Sequence, residues 1–390
     1  MNWKLMENSI TFIDKLKLIF FILSTDRYTN GNKVRELEKL WCDWLGCKYS
    51  LFVSSGSTAN LLLISSIKEL YNLKDGDKVL VPSCTWMTNV APIIQLGLTP
   101  VFSDIQFSDF SFDIKELYHI KNKHPDIKLI FISHLLGFTS DCANTKVLAE
   151  LFPEALVIDD VCESHGCKDI LGNKIGSNSL GATFSTYFGH HLTSVEGGFV
   201  CTNNIELYDL MKMKRSHGLA RESIYYDKYM ALYPELDKNF LFVTDGYNFR
   251  NTEIHAVLGI SQLKKLDSYI TIRNNNYKLF CDLTEKYKPF MYTFSYDENV
   301  SNFSFPIIFK SDSIKYKLED ILSKYNIEYR PIISGNLLKH PFLNNYNLCS
   351  DKIIPNIDII HNNGLYIGNS QFVNKHNIII LDNILNSILK

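Results

Sequence analysis

Ala155-Leu156-Val157-Ile158-Asp159-Asp160 is the stretch that decides the fold class. Its apolar residues are consecutive instead of alternating, the pattern of a strand covered on both faces, and such strands belong to sheets flanked by helices. Similar runs recur at helix-length intervals in Tyr49–Val53, Lys78–Pro82, Thr99–Phe102, Lys128–Ser133, Thr183–Tyr187 and Gly198–Thr202. Between them lie amphipathic stretches. Val34, Leu37, Leu40, Trp41 and Leu45 recur at helical spacing over Asn32–Leu45, and a second helical run covers Thr58–Leu70. This alternation predicts an α/β fold on a mostly parallel central sheet sandwiched by helices. Near residue 250 the texture changes. A long helical pattern from Asn251 to about Leu283, an alternating segment at Phe303–Phe309 and a helix at Ile314–Tyr325 predict a smaller α+β domain. The expected division is a large domain with an N-terminal arm over 1–250 and a small C-terminal domain over 251–390.

The composition agrees with two folded domains: 46% of the 390 residues are hydrophobic and 21% are charged. Lys and Arg number 40 against 42 Asp and Glu, a net charge of -2, which excludes nucleic-acid binding through an overall positive field. The early apolar run Leu18–Leu23 is far shorter than the roughly 20 residues that span a bilayer. It also follows Glu7, Asp14, Lys15 and Lys17, unlike a secretory signal. A cytoplasmic protein with no membrane partner is expected. The nine cysteines include no C-x-x-C pair, and Cys42/Cys47 and Cys162/Cys167 have the wrong spacing for a zinc site. Free thiols in a reducing compartment follow, and nothing in the spacing suggests an iron–sulfur cluster.

Several residues stand where α/β sheets bind ligands. Ser54-Ser55-Gly56-Ser57-Thr58-Ala59-Asn60 joins a strand to a helix, so small residues and free N–H groups meet at a positive helix end. A phosphate site and a purely steric turn both explain that composition. Trp86 follows the strand Lys78–Pro82 and reads either as a platform for a planar ligand or as a core side chain. Asp160 closes an apolar parallel strand at its ligand-binding end, where burial requires a cationic partner such as a protonated pyridine nitrogen. The neighbours His190 and His191 are poorly placed to share a metal ion, and no metal is expected.

The order of five motifs makes a family resemblance visible: S-S-G-S-T-A-N from Ser54, I-D-D-V-C-E-S-H-G from Ile158, F-S-T-Y-F-G-H-H-L-T-S-V-E-G-G from Phe184, R-S-H-G from Arg215 and G-Y-N-F-R-N-T-E-I-H-A from Gly246. From about Gly31 onward the chain resembles the DegT-type sugar-nucleotide aminotransferases, pyridoxal-phosphate enzymes of the aspartate-aminotransferase fold (fold type I). The resemblance implies that Gly56, Ser57 and Ser185 hold the cofactor phosphate, Trp86 stacks on its ring and Asp160 keeps the ring nitrogen protonated. Glu163 stands where the family usually has a glutamine near the ring hydroxyl. Asn248 is expected to reach the phosphate of a neighbouring subunit, which makes the protein a homodimer with active sites at the interface. His217, Arg250, Glu328, Arg330, Asn336, Tyr28 and Gly31 are expected near substrate, with structural roles as the alternative for each.

One departure from that family sets the expected function. Its aminotransferases carry a lysine five residues after the phosphate-binding serine and six before the glutamate of E-G-G. Counting from Ser185 and back from Glu196 leads to His190, and no lysine lies between Lys174 and Lys212. An imidazole cannot form the lysine's imine, so pyridoxal or pyridoxamine phosphate is expected to be bound non-covalently. It can still move protons near neutrality. The change resembles the family's sugar 3-dehydratases, of which one kind uses an iron–sulfur cluster and a reductase and the other uses neither. The scattered cysteines favour the second. The resemblance then implies a GDP-linked 4-keto-6-deoxy sugar as substrate and glutamate as amino donor, with release of ammonia and 2-oxoglutarate and no reductase partner. An aminotransferase and a non-catalytic binding module on the same fold are the competing readings.

Overall fold

The computed structural model describes residues 2–139, 142–346, 348 and 354–389. Seven strands form the larger sheet: β1 (Tyr49–Val53), β2 (Lys78–Pro82), β3 (Thr99–Ser103), β4 (Ile127–Ser133), β5 (Leu156–Asp160), β6 (Ala182–Ser185) and β7 (Gly198–Thr202), in the spatial order β1-β7-β6-β5-β4-β2-β3. Only β7 runs against the rest, pairing antiparallel with β1 and β6. The other neighbours are parallel. Consecutive apolar runs have become strands buried on both faces, as in β2, β4 and β7. A four-stranded antiparallel sheet follows, built from β8 (Met291–Tyr292), β9 (Ser304–Phe309), β10 (Tyr329–Arg330) and β11 (Gly364–Gly368) in the order β10-β11-β9-β8. Phe305, Ile307, Leu365 and Ile367 of that sheet share one apolar core with Tyr277 and Phe280, and with Trp3, Phe110 and Phe138 from the earlier part of the chain.

Two details differ from the sequence reading. β6 stops at Ser185, two residues before the apolar pattern ends. Thr186 leaves the ladder because its N–H donates to Gly197 O at 2.8 Å and its hydroxyl pairs with Ser194 Oγ at 2.6 Å. The predicted long helix after Asn251 is two helices, Glu253–Leu263 and Leu266–Thr284. At the break, Lys265 sends its ammonium to Asp14 Oδ2, 2.6 Å away.

Asp14 is the anchor of the first helix, Phe12–Ser24, whose large apolar residues Phe12, Phe20 and Leu23 face outward. Its buried carboxylate also accepts from the Thr11 N–H and hydroxyl, Ser261 Oγ and Gln262 Nε2. Burial alone would raise this carboxyl, but Lys265, Ser261 and Thr11 outweigh it and hold it at about 2. A depressed folded pKa stabilises the fold above the ordinary carboxylate range and stops doing so as the pH falls through it. Asp14→Asn is therefore expected to cost about 1.5–3 kcal/mol near neutrality. The gap in melting temperature between variant and wild type should close as the pH is lowered from 4 towards 2. No helix among the described residues is long and apolar enough to cross a membrane.

Candidate active site

Strand ends and one helix start converge on a cavity of about 350 Å³. Gly56, Ser57, Trp86, Asp160, Glu163, Ser185, His190 and Arg330 all line it. The helix Gly56–Leu70 begins here because Ser55 caps it, accepting from Thr58 N at 3.1 Å while Thr58 Oγ1 accepts from Ser55 N. Gly56 is required for close approach: a Cβ there would lie 2.8 Å from Ser185 Cβ. The turn thus brings the first N–H groups of the helix against the Ser185 side chain.

At the far end, Asp160 is buried with both oxygens held. Oδ1 accepts from Cys162 N at 2.9 Å and Oδ2 from Asn60 Nδ2 at 3.1 Å. Glu163 accepts from Leu136 N at 3.0 Å. Burial pushes its carboxyl up to about 7, the Asp160 charge adds to the rise, and the Leu136 N–H works against it. The rise favours the protonated form, which can act as a hydrogen-bond donor. Trp86 precedes the helix Met87–Gln95 and is 56% exposed, a cavity wall and not a core tryptophan.

His190 lies on the loop between β6 and β7, which the Thr186–Ser194 contact closes. Its neighbour Gly189 leaves room for the Met6 side chain, which packs where a Cβ would stand. Burial first, and then the charge of Arg273, hold the His190 imidazole down at about 4, while a backbone contact at Cys162 works the other way. The ring is therefore the neutral imidazole at ordinary pH, with its charged form disfavoured. No lysine is among the residues lining the cavity.

The remaining sequence candidates lie outside the cavity lining. Asn248, Arg250 and His217 form a separate chain: Arg250 Nε donates to Asn248 Oδ1 at 3.0 Å, and an Arg250 Nη lies 3.2 Å from His217 Nε2. Asn248 itself is exposed. Glu328 accepts from Leu5 N at 2.9 Å, so it ties the N-terminal segment to the small sheet. Asn336 is buried and bonds Leu338 N and Asp358, a structural cap. The Tyr28 hydroxyl donates to Ile22 O at 3.1 Å. Gly31 donates to Glu253 Oε1 at 2.7 Å, and Glu253 also caps Lys33 N and Val34 N, which explains the need for glycine beside that carboxylate.

Leu5, Met6, His134, Phe303, Ile333 and Tyr366 also line the cavity and were not singled out by the sequence. His134 had a signal: it follows β4 directly, as Asp160 closes β5, and its Nε2 lies 3.0 Å from Asp159 Oδ1. Leu5 and Met6 had none, because their place depends on pairing around Trp3 and Glu328 some 320 residues away.

The sequence profile of the DegT/DnrJ/EryC1/StrS aminotransferase family matches residues 14–377. The chain belongs to that family. Among its relatives in this DegT-type family, the GDP-4-keto-6-deoxy-D-mannose 3-dehydratase of Yersinia pseudotuberculosis is 34% identical over 380 residues, 95% of each chain. The solved E. coli GDP-4-keto-6-deoxy-D-mannose-3-dehydratase with bound hydrated pyridoxal phosphate has a TM-score of 0.86 at 30% identity, over 99% of both chains. A GDP-4-keto-6-deoxymannose-3-dehydratase with a trapped pyridoxal-phosphate–glutamate geminal diamine gives the same TM-score of 0.86 and 30% identity, covering 98% of this chain and 100% of that one. These DegT-family likenesses span both sheets and the cavity between them.

Proposed function

We propose that this chain is a pyridoxal-phosphate-dependent hydro-lyase that removes the C3 hydroxyl of GDP-4-keto-6-deoxy-D-mannose, with L-glutamate as amino donor. One observation carries the reading: a cavity furnished for the cofactor at both ends has an imidazole where the family's aminotransferases have their lysine, and no lysine in its lining. The names of the most similar relatives support the GDP and mannose assignments, and the trapped glutamate adduct supports the amino donor.

The donor set fits the cofactor. Gly56 and Ser57, at the positive end of their helix, and the Ser185 hydroxyl would hold the phosphate. Asp160 is an oriented anion that would hold a protonated ring nitrogen, and Trp86, in the same lining, would stack on the ring. Glu163, able to carry a proton near neutrality, would donate to the ring oxygen. When bound, the cofactor supplies an amine that joins the sugar's C4 ketone and a ring that accepts electrons.

His190 then works on one proton twice. With the cofactor bound, the neutral imidazole would be the base for the proton given up beside its amine, and the electron pair so freed would serve to break the sugar's C3–O bond. As an imidazolium it passes that proton to the departing oxygen, which leaves as water. Both positions must lie on one face of the ring for a single imidazole to serve them. Leu5, Met6, Phe303 and Ile333 form the apolar wall that keeps other water away from this exchange. Arg330, exposed at the cavity rim, is a cation for a glutamate carboxylate or the nucleotide phosphates. Later hydrolysis gives the 3-deoxy keto sugar and ammonia, and glutamate leaves as 2-oxoglutarate.

The working assembly in this reading is a homodimer, in which exposed Asn248, held by Arg250, reaches the phosphate site of the second copy. No reductase and no iron–sulfur cluster are required. The test is product analysis by NMR, using a panel of 4-keto-6-deoxy sugar nucleotides with glutamate. A 3-deoxy keto sugar with equimolar ammonia is expected, and an aminated sugar that keeps its C3 oxygen would overturn the reading in favour of transamination.

A further inference from the structure

Behind Phe303 of the cavity wall lies a guanidinium with no carboxylate beside it among the described residues. Arg273, on the helix Leu266–Thr284, is 5% exposed and takes part in none of the ion pairs among the described residues. It donates through one Nη to the main-chain oxygens of Phe303, at 3.1 Å, and Asn369, at 2.7 Å. A buried charge that lacks a counterion is costly, and its field acts on whatever lies nearest. One aromatic ring separates it from the loop that carries His190. The Phe303 ring that meets the guanidinium, 5.9 Å from Cζ to centroid, also stands 5.5 Å from the His190 ring and 5.6 Å from the His191 ring. Phe303 is itself part of the cavity wall.

We infer that Arg273 is a positioning residue for proton transfer: its buried positive charge disfavours the imidazolium of His190, so that the ring rests as a free base and gives up an acquired proton to the departing C3 oxygen. The inference rests on the dehydratase reading for the fate of that proton. A base that must also serve as acid within one turnover gains from a neighbour that makes its charged form short-lived.

The other titratable groups around His190 do not supply this effect as a fixed charge. His165 and Tyr187 stand 6.2 Å from it, ring to ring, and both ring nitrogens of buried His165 lack hydrogen-bond partners. His191 is buried and contacts Ser301 O through Nε2 at 3.0 Å. Burial and Arg273 hold both of these imidazoles neutral as well. Also in the cavity lining are Asp160, Cys162, Glu163, Glu196, Tyr366 and the cation Arg330. The carboxylates among these are the same in every Arg273 variant, so a rise on neutralising Arg273 reports the lost guanidinium charge.

The experiment follows the ionisation of His190 in the full-length, cofactor-free protein by NMR with ring-labelled histidine, its signal assigned by loss in His190→Asn. In the wild type His190 is expected to stay neutral well below the ordinary histidine range. Arg273→Gln and Arg273→Met should raise its midpoint by roughly one pH unit, and Arg273→Lys should keep it near the wild-type position. The acid limb of the dehydration rate should move with it. A folded neutral variant with an unmoved His190 midpoint would overturn the inference, because a merely structural arginine leaves that titration alone. If neither neutral variant folds, Asn369→Asp decides, because it sets a carboxylate at the residue whose main-chain oxygen holds the guanidinium: a raised His190 midpoint is expected, and an unmoved one overturns the inference. The titration needs no substrate, so a product that kept its C3 oxygen would remove the dehydratase reading without altering the result for Arg273.

Discussion

Replacing His190 with asparagine is expected to slow conversion of the sugar nucleotide about 10²- to 10⁴-fold, the range of a positioned acid–base group. Asparagine keeps a polar planar end but cannot carry a proton in either direction. The proposed phosphate cradle of Gly56, Ser57 and Ser185 and the Asp160 carboxylate are other residues of the lining and keep their own contacts, so cofactor affinity should be nearly unchanged. Single-turnover kinetics with the amine form of the cofactor already in place isolates the step. The expected pattern is a lost chemical step with retained cofactor absorbance and near-normal sugar KM. Comparable loss of cofactor binding would assign His190 to holding the coenzyme instead.

The second large effect concerns Asp160. Asp160→Asn removes the negative charge and leaves a side chain of the same shape, still within reach of the Cys162 N–H. A ring nitrogen that faces a neutral amide no longer stays protonated, and the ring draws electrons less strongly. Turnover is expected to fall about 10²- to 10³-fold, the scale set by losing one preorganised electrostatic group. Cofactor affinity should drop as well, because the buried amide cannot replace a charge-assisted hydrogen bond. Absorbance titration of the cofactor and kcat measured at saturating cofactor separate the two effects. An unchanged kcat under saturation would show that Asp160 only binds.

Much of the fold was legible because burial on both faces writes itself into a strand as a consecutive apolar run. β2 and β7 begin and end where the sequence pattern does, and the helix Asn32–Leu45 follows its own apolar stripe. The errors occur where a local bond overrides the pattern. Thr186 is as strand-like as its neighbours, yet its contacts to Gly197 and Ser194 turn the chain into the loop that presents His190. The break at Lys264-Lys265 follows no glycine or proline, and Lys265 sits there on Asp14 from the first helix.

The site was readable where motif and strand end coincide, as at Gly56, Asp160 and Ser185. It was unreadable where a side chain arrives from far along the chain. Met6 reaches Gly189, Phe303 reaches His190, and Arg273 reaches Phe303 only through the packing of separate segments. Glu328 and Asn336 flank Arg330 in sequence, but only Arg330 faces the cavity. Glu328 is occupied by Leu5 and Asn336 by a helical cap.

The central claim is that an imidazole replaces the anchoring amine, leaving the coenzyme without a covalent bond to the protein. Intact-mass analysis of the resting wild-type enzyme, loaded with pyridoxal phosphate and treated with borohydride in the absence of substrate, tests it most directly. The predicted spectrum shows the unmodified chain, and His190→Lys treated in parallel gains one reduced cofactor. A wild-type chain that gains one equivalent of cofactor mass would contradict the account.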